Sequence, residues 1–335
     1  MDLVERSEEL HAKVRAFAGD DFAALALELA EFQARFSPGF ARLVKARGAA
    51  LDTLASIPAV PTDAFRLTRV AVHPPELDRT AFFTSGTTGS ARGTHYFRTL
   101  DTYKTLALRD GARGLEVEAP LTVACLATPA SSSSLGTMMA WFHEAWDGGE
   151  PRWLVDGDAI DVAELRRAAE LGKPLLLLAT AFALVALLDR LAGERIATPA
   201  GSKVMMTGGF KGRIREVESE TLRAQVAESL GLEPGNVIGE YGMTELTSQF
   251  YEASPGTYVD SPTIRVYAVD GATLEPVGDG EIGLGRIVDL GNVDSAVAIQ
   301  TQDRVRRVAG GFELLGRAPA SSRAAWLLAL ESLLG

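Results

Sequence analysis

Three short segments hold residue types and spacings suited to chemistry on a phosphate-bearing substrate. The first, Thr84-Ser85-Gly86-Thr87-Thr88-Gly89-Ser90-Ala91-Arg92-Gly93, follows the apolar stretch Ala81-Phe82-Phe83. Glycines let the backbone take positive φ and approach a ligand, while hydroxyls and exposed N–H groups suit phosphate oxygens. The segment is not a Walker A loop, because the Gly-Lys-Ser/Thr ending is missing. The second, Glu240-Tyr241-Gly242-Met243-Thr244-Glu245, follows Val237-Ile238-Gly239. Its aromatic ring can stack on a base, and a carboxylate next to a phosphate site can hold a divalent cation. The third joins Thr301-Gln302-Asp303-Arg304-Val305 to Gly311-Phe312-Glu313-Leu314-Leu315-Gly316-Arg317. An Asp at a turn can accept hydrogen bonds from a ribose diol, and an Arg can pair with an anion. Taken singly, each also suits a structural part: a flexible surface turn, a strand–helix turn, and a turn Asp near a strand Arg.

The elements that must position these segments are legible in the hydrophobic pattern. Residues 2–50 place apolar positions at helical spacing and predict two or three amphipathic helices, broken at Ser37-Pro38-Gly39. Ile57-Pro58-Ala59-Val60-Pro61 then predicts an extended connector, since proline disfavours helix in the residue before it. From residue 80 strands alternate with helices. Strands are expected at 80–84, 121–127, 174–179, 202–206 and 236–239, and helices at 99–114, 134–147, 160–171, 181–193 and 213–230. That rhythm predicts an α/β fold with a largely parallel β-sheet covered by helices. After about residue 255 short apolar runs at 263–269, 283–289, 296–300 and 311–315 predict a small β-rich C-terminal subdomain, closed by a helix over Arg323–Leu334. The expected organisation is therefore a helical N-terminal region (1–60), an α/β nucleotide-binding core (61–255) and the β-rich subdomain with its terminal helix (256–335).

Composition narrows the classes. The chain has 335 residues, 47% of them hydrophobic, which is ordinary for a folded protein. A single cysteine, Cys125, excludes an intrachain disulfide framework and a cysteine zinc site. The four histidines (11, 73, 95 and 143) show no metal-ligand spacing. A formal charge of −11 argues against nucleic acid as a partner. The cluster Arg304, Arg306 and Arg307 suits a solvated strand edge or an anionic small-molecule pocket. The apolar run Leu175–Leu188 is shorter than the roughly 18–20 residues of a membrane helix. It predicts a buried strand running into a helix. The charged N-terminus does not read as a signal peptide, so a cytoplasmic protein without a membrane span is expected.

The order and combination of the three segments resemble the adenylate-forming (acyl-activating) superfamily. Its motifs read as a Thr-Ser-Gly-Thr-Thr-Gly loop, a Tyr-Gly-x-Thr-Glu segment, a Thr-Gly-Asp segment and a Leu-Gly-Arg segment. Ile57–Pro61 with Phe65-Arg66, Ser132-Ser133-Ser134-Leu135, Thr180-Ala181-Phe182 and Thr207-Gly208-Gly209-Phe210-Lys211 further resemble the LuxE-type acyl-protein synthetases. These activate fatty acids for a fatty-acid reductase system and lack a full C-terminal lid domain, which the length matches. The resemblance implies ATP and Mg²⁺ as cofactors. Thr84, Ser85, Gly86, Thr87, Thr88 and Gly89 would contact the triphosphate. Gly208 and Gly209 would line the adenine pocket, with Tyr241 stacked on the base. Thr244 would bond the α-phosphate, Glu245 would hold Mg²⁺, Asp303 would accept the ribose hydroxyls, and Arg317 would close over them. His95 would face the carboxylate or the α-phosphate.

Two departures matter. Many superfamily members use a lid lysine during adenylation, but no lysine follows Lys211 here, so Lys211 or an Arg is left for that role. Arg92 also replaces the lysine often found in the phosphate loop, giving a planar fork instead of a point charge. LuxE-type enzymes carry an acyl-accepting cysteine near the C-terminus. The matching stretch, Arg323-Ala324-Ala325-Trp326-Leu327, places Ala325 there, and alanine cannot form a thioester. The expected activity is ATP-dependent carboxylate activation to acyl-AMP and pyrophosphate. Transfer to a thiol or amine would follow, with a carboxylic acid (a fatty acid in the LuxE reading) as substrate and an acceptor protein or reductase as partner. The alternative is a catalytically reduced relative that binds nucleotide or acyl-adenylate as a scaffold.

Overall fold

The computed structural model describes residues 2–84, 92–208, 219–318 and 324–334. The chain packs into two compact units, each assembled from separate stretches. Unit one holds Met1–Ala107, Met243–Gln249 and Thr257–Gly335, and unit two holds Leu108–Gly242 and Phe250–Gly256. The helical N-terminal segment and the β-rich C-terminal segment thus fall in the same unit.

Three helices open unit one: α1 (Leu3–Ala16), α2 (Phe22–Phe36) and α3 (Pro38–Arg47). The side chains of Asp2, Asp21 and Ser37 accept backbone N–H groups at their starts, satisfying donors that a helix end leaves unpaired. Ser37-Pro38 both stops α2 and starts α3, because Pro suits the first helical turn. Leu10, Val14, Leu29, Phe32, Phe40 and Leu43 turn inward. The expected connector contributes β1 (Val60–Pro61), which pairs in parallel with Ile299 and Gln300, and one helical turn follows, α4 (Ala64–Leu67). The strand expected at 80–84 is present as β2 (Thr80–Phe83). It does not join the parallel sheet, but pairs antiparallel with an unforeseen strand, β3 (Thr94–Phe97).

Helix α5 (Asp101–Gly114) leads to the α/β rhythm of unit two: β4 (Thr122–Leu126), α6 (Ser134–Trp146), β5 (Arg152–Trp153), and the small antiparallel pair β6 (Val155–Asp156) and β7 (Ala159–Ile160). Then come α7 (Val162–Ala169), β8 (Leu175–Thr180), α8 (Ala181–Leu191), β9 (Lys203–Thr207), α9 (Ser219–Leu230) and β10 (Val237–Tyr241). Strands β5-β4-β8-β9-β10 are parallel neighbours, and β11 (Phe250–Ser254) pairs antiparallel with β10. The strands read as nearly continuous apolar runs because both sheet faces are covered. On one face Leu177, Val204, Met206 and Val237 form a core with Leu184 of α8 and with Leu222 and Val226 of α9.

Unit one continues with β12 (Thr257–Val259), β13 (Ile264–Val269), β14 (Ile282–Asp289), β15 (Ala298–Val308) and β16 (Gly311–Arg317). They run antiparallel in the order β13-β14-β15-β16-β12, in the C-terminal region where the apolar runs predicted β-structure. Helix α10 (Ala324–Leu334) packs on α3 and β1. The basic cluster does not line an anion pocket at two of its positions. Arg306 pairs with Glu313 (2.9 Å) and Arg307 with Asp260 (2.8 Å), so these are ion pairs along the sheet. Among the described residues, no helix is long and apolar enough to cross a membrane.

Candidate functional site

In unit one the hydroxyl-rich segment is clamped at its two ends. The Thr84 N–H donates to the Gly93 carbonyl and the Gly93 N–H donates to Thr84 Oγ1, each at 2.9 Å. A Cβ at Gly93 would lie 2.9 Å from the Thr84 methyl, so this closure needs glycine. Ser85, Gly86, Thr87, Thr88 and Gly89 lie outside the described residues, as do Gly209 and Lys211.

Two residues beyond the clamp, His95 is 2% exposed and has both ring nitrogens engaged. Nδ1 is 2.8 Å from the Thr244 carbonyl oxygen, which can only accept, so that nitrogen carries the proton. Nε2, 2.9 Å away, then accepts from Ser295 Oγ. Phe65 and Phe97 pack on the ring at 5.5 and 4.1 Å between centroids. Burial is the main reason that its pKa falls to about 4, so the neutral imidazole persists. His95 was expected to face substrate. Its two polar atoms are instead spent inside the core, on the Thr244 backbone and on Ser295.

The segment carrying Thr244 and Glu245 is held from a second direction by residues that the sequence reading did not select. Asp289, at the end of β14, accepts four hydrogen bonds: from the N–H groups of Thr247, Ser248 and Gly291 and from the Ser248 hydroxyl, at 2.7–2.9 Å. The Asn292 amide donates to the Glu245 carbonyl (3.0 Å), and its oxygen accepts from the Thr247 hydroxyl (2.7 Å). The N-terminal helices fix this loop in turn. Gln33 of α2 donates to the carbonyls of Asn292 and Val293 and accepts the Val297 N–H. Ser7 and His11 of α1 bind the two oxygens of Asp294, at 2.5 and 3.0 Å. Burial pushes the Asp294 carboxyl up, but those bonds and the charges of His11 and Arg98 outweigh it and bring the pKa to about 2. Gly, Asn and Asp in the run 289–295 suggest a surface turn. Every residue of it is buried, because the polar side chains bond inward. The signal was the position of this polar run directly between two apolar strands.

Asp303 sits in the middle of β15 beside a bulge, not in the expected turn, and register places it opposite Arg317 of β16. Arg317 Nε is 3.4 Å from Asp303 Oδ1; the arginine side chain is 66% exposed and the aspartate 15%. The structure thus brings together the two residues expected at the ribose.

Unit two holds the other candidates at the carboxyl ends of β9 and β10, the edge where parallel sheets receive ligands. Gly208 has φ +72, which favours glycine. The Tyr241 ring is stacked with Phe250, 6.0 Å between centroids. Beside them Thr207 and Glu240 are register partners, and the Thr207 hydroxyl donates to the Glu240 carboxylate. Cys125 is fully buried in β4, and burial pushes its thiol to about 12, far from the range of a nucleophile.

The donor set at Glu245 can be compared with what Mg²⁺ needs. Among the described residues no three acidic, histidine or cysteine side chains gather as a cage. A nucleotide-borne Mg²⁺ needs only one or two protein carboxylates, because phosphates and water complete its shell. Glu245, 8% exposed and with its backbone fixed by Asn292, fits that requirement.

No protein-family model matches the chain, and no curated protein matches it. Solved structures do, and what the chain shares with them is the fold. In particular, the chain is similar to 2-hydroxyisobutyryl-CoA ligase in the postadenylation state in complex with R3-HIB-AMP. The TM-score is 0.65 at 14% identity, over 95% of this chain and 69% of that one. The open conformation of that ligase with 2-HIB-AMP and CoA gives 0.62 at 14% identity, over 87% and 73%. ATP-bound MatB from Rhodopseudomonas palustris gives 0.52 at 16% identity, over 71% of this chain and 47% of MatB. The chain therefore spans about half the length of MatB. At such identities the likeness establishes the fold.

Proposed function

We propose that the chain is an ATP-dependent carboxylate-activating enzyme. The observation that carries this reading is the tie made by His95: this residue of the strand that follows the hydroxyl-rich segment is bonded to the backbone of Thr244, next to Glu245. A residue two positions beyond the first chemical segment is thereby fixed to the second in unit one. The fold shared with ligases captured with ATP or an acyl-AMP supports the same reading.

A carboxylate oxygen of the acid attacks the α-phosphorus of ATP, forming the acyl–phosphate bond of acyl-AMP while pyrophosphate leaves. Carboxylates are poor electrophiles, and AMP turns the carboxyl oxygen into a good leaving group. Catalysis is then mainly positioning and charge neutralisation. In this reading Thr84, Ser85, Gly86, Thr87, Thr88 and Gly89 surround the triphosphate, and Thr244 bonds the α-phosphate. Tyr241 stacks on adenine beside Gly208 and Gly209, and Asp303 with Arg317 holds the ribose. Glu245 would hold Mg²⁺, which when bound neutralises phosphate charge. His95 is a positioning residue. The acyl group passes to an external thiol or amine, because the single cysteine is buried. A LuxE-like fatty-acyl substrate and a reductase or acceptor-protein partner follow from the resemblance of 57–66, 132–135 and 207–211.

The test is carboxylate-dependent ATP–pyrophosphate exchange with Mg²⁺, across short, long and aromatic acids. Exchange with one class is expected, and Glu245→Gln should lower it by about 100-fold or more. ATP binding with no exchange for any acid would replace this reading with the nucleotide-binding scaffold.

A further inference from the structure

Unit one holds a cavity of about 420 Å³ that the adenylation chemistry does not use. Its wall is built from the junction of α2 with α3, from Val60 of β1, from residues 68–75, from Ser295 and Ala296, and from Leu333 of α10. Among the described residues, none assigned above to the nucleotide or the metal lines it.

The chemistry of this wall is one-sided. Phe36, Phe40, Val70, Val72 and Leu333 make it largely apolar, and its titratable side chains among the described residues are Arg42, Arg69 and His73, with no carboxylate. The chain as a whole carries −11, so a cavity lined by basic groups alone runs against its composition. Arg69 is paired with Asp78 (2.5 Å), which is not part of the wall. Arg42 donates through Nη2 to the carbonyls of Leu333 and Leu334 (2.6 and 3.4 Å), and among the described residues it meets no carboxylate. Helix α3 adds the positive end of its dipole: Pro38 brings no N–H to the first turn, and the Phe40 N–H reaches Ser37 Oγ only at 3.4 Å. Two further polar atoms of wall residues, His73 Nδ1 and Arg69 Nε, are shielded from water and have no partner among the described residues. His73 is 2% exposed, and its Nε2 is engaged with Asp78 Oδ1 at 3.0 Å. Polar atoms left unpaired in the interior are a mark of a partner that the fold does not itself supply.

We propose that this cavity is a second binding site, for a small organic anion whose oxyanion head lies between Arg42 and the first turn of α3 and whose apolar body fills the space against Val70 and Leu333. The volume falls within the roughly 300–1,000 Å³ of small-molecule sites, and a mostly apolar wall with a few convergent polar groups is their usual make-up. A carboxylate and a phosphate monoester offer the same head chemistry to a guanidinium and a helix N-terminus. The inference does not depend on the adenylating reading, because it concerns a different part of unit one.

The experiment is calorimetric titration of the full chain with octanoate, 1-naphthoate and octyl phosphate, with octanol and octanamide as neutral controls. At least one anion should bind, and the neutral compounds should bind about ten-fold or more weakly, because they lack the charge-assisted bonds. Octanoate against octyl phosphate tells which head is preferred. Ala71→Trp fills the cavity from its wall and should remove this binding event, while Arg42→Gln should weaken it about ten-fold or more. Circular dichroism establishes that each variant is folded, and Arg42→Gln carries the test if Ala71→Trp is not. In Ala71→Trp the KM for the acid in ATP–pyrophosphate exchange should stay unchanged. A KM that rises along with the lost binding would make this cavity the pocket of the activated acid and overturn a second site. Binding unchanged in the folded variants, neutral compounds held as tightly as anions, or no binding of any anion would overturn the inference while leaving adenylation standing. The titrations need no turnover, so they decide the inference even where no acid supports exchange.

Discussion

Asp289 of unit one and Glu240 of unit two are both withdrawn from water near the end of a strand, yet the chain surrounds them differently. Asp289 is fully buried and receives four donors from a segment it fastens, whereas Glu240 has the Thr207 hydroxyl. Burial pushes both carboxyls upward, so burial does not distinguish them. The difference lies in satisfaction. A carboxylate whose lone pairs are used up by its own chain is a fastening, while one with a single neutral donor is only partly compensated for its burial.

The sharpest way to break that comparison is to remove each carboxyl. Asp289→Ala leaves three buried backbone N–H groups without partners and should cost about 3–5 kcal/mol in urea unfolding at pH 7. Glu240→Leu replaces an under-compensated group by an apolar one and should change stability by no more than about 1 kcal/mol. Equal losses would show that Glu240 is as much a part of the scaffold as Asp289.

His95 comes next. His95→Phe keeps an aromatic ring among Phe65 and Phe97 but strips partners from the Thr244 carbonyl and Ser295. The expected cost is about 2–3 kcal/mol at pH 7. The parent should show the pH signature of this histidine. Its folded pKa of about 4 lies below the ordinary 6.5, so its contribution is present above 6.5 and is lost as pH falls through 4. The variant should lack that loss. A positioning role further requires that KM for ATP rise in the variant under conditions where it is fully folded. An unchanged KM would leave His95 a core residue with no influence on the site.

Glu240 predicts a slope of opposite sign. Its folded pKa of about 7 lies above the ordinary 4.5, so its contribution is fully present below 4.5 and is lost as pH rises through 7. Unfolding free energy should therefore decline by an amount on the order of 2 kcal/mol across that window. Glu240→Gln should flatten the decline. A slope that survives the substitution would assign it to another group.

Particular residues show how far this arrangement was legible beforehand. The parallel strands of unit two were readable because burial on both faces leaves uninterrupted apolar runs such as Leu175–Leu178. Strand β3 was not, since Thr94-His95-Tyr96-Phe97 alternates half-buried and buried positions over only four residues. Strand β15 runs on through Thr301–Asp303, where polar residues imitate a turn, because bulging re-aims the chain without ending the ladder. At the site, residue types pointed to Thr84, Thr244 and Glu245. Asp289, Asn292, Ser295 and Gln33 were hidden, because polar residues that bond across long sequence separations look locally like loop residues. The Asp303–Arg317 pair rests on strand register, which spacing alone does not determine.

That pair gives the smallest expected effect on stability and the clearest contrast with Asp289. Arg317 is largely exposed and lies 3.4 Å from Asp303, a geometry in which solvent screens most of the attraction. Arg317→Ala should shift unfolding free energy by less than about 0.5 kcal/mol. If the pair receives the ribose, calorimetric ATP affinity should nevertheless fall by about ten-fold, because a bound ligand desolvates the pair and restores the strength that water removes. Stability and affinity then separate at Arg317, as they do not at Asp289, where the carboxylate holds Thr247 and Ser248, just beyond Glu245. Loss of stability without loss of ATP affinity in Arg317→Ala would make the pair a strut of the β-rich sheet. The ribose contact would then have to be sought on another residue.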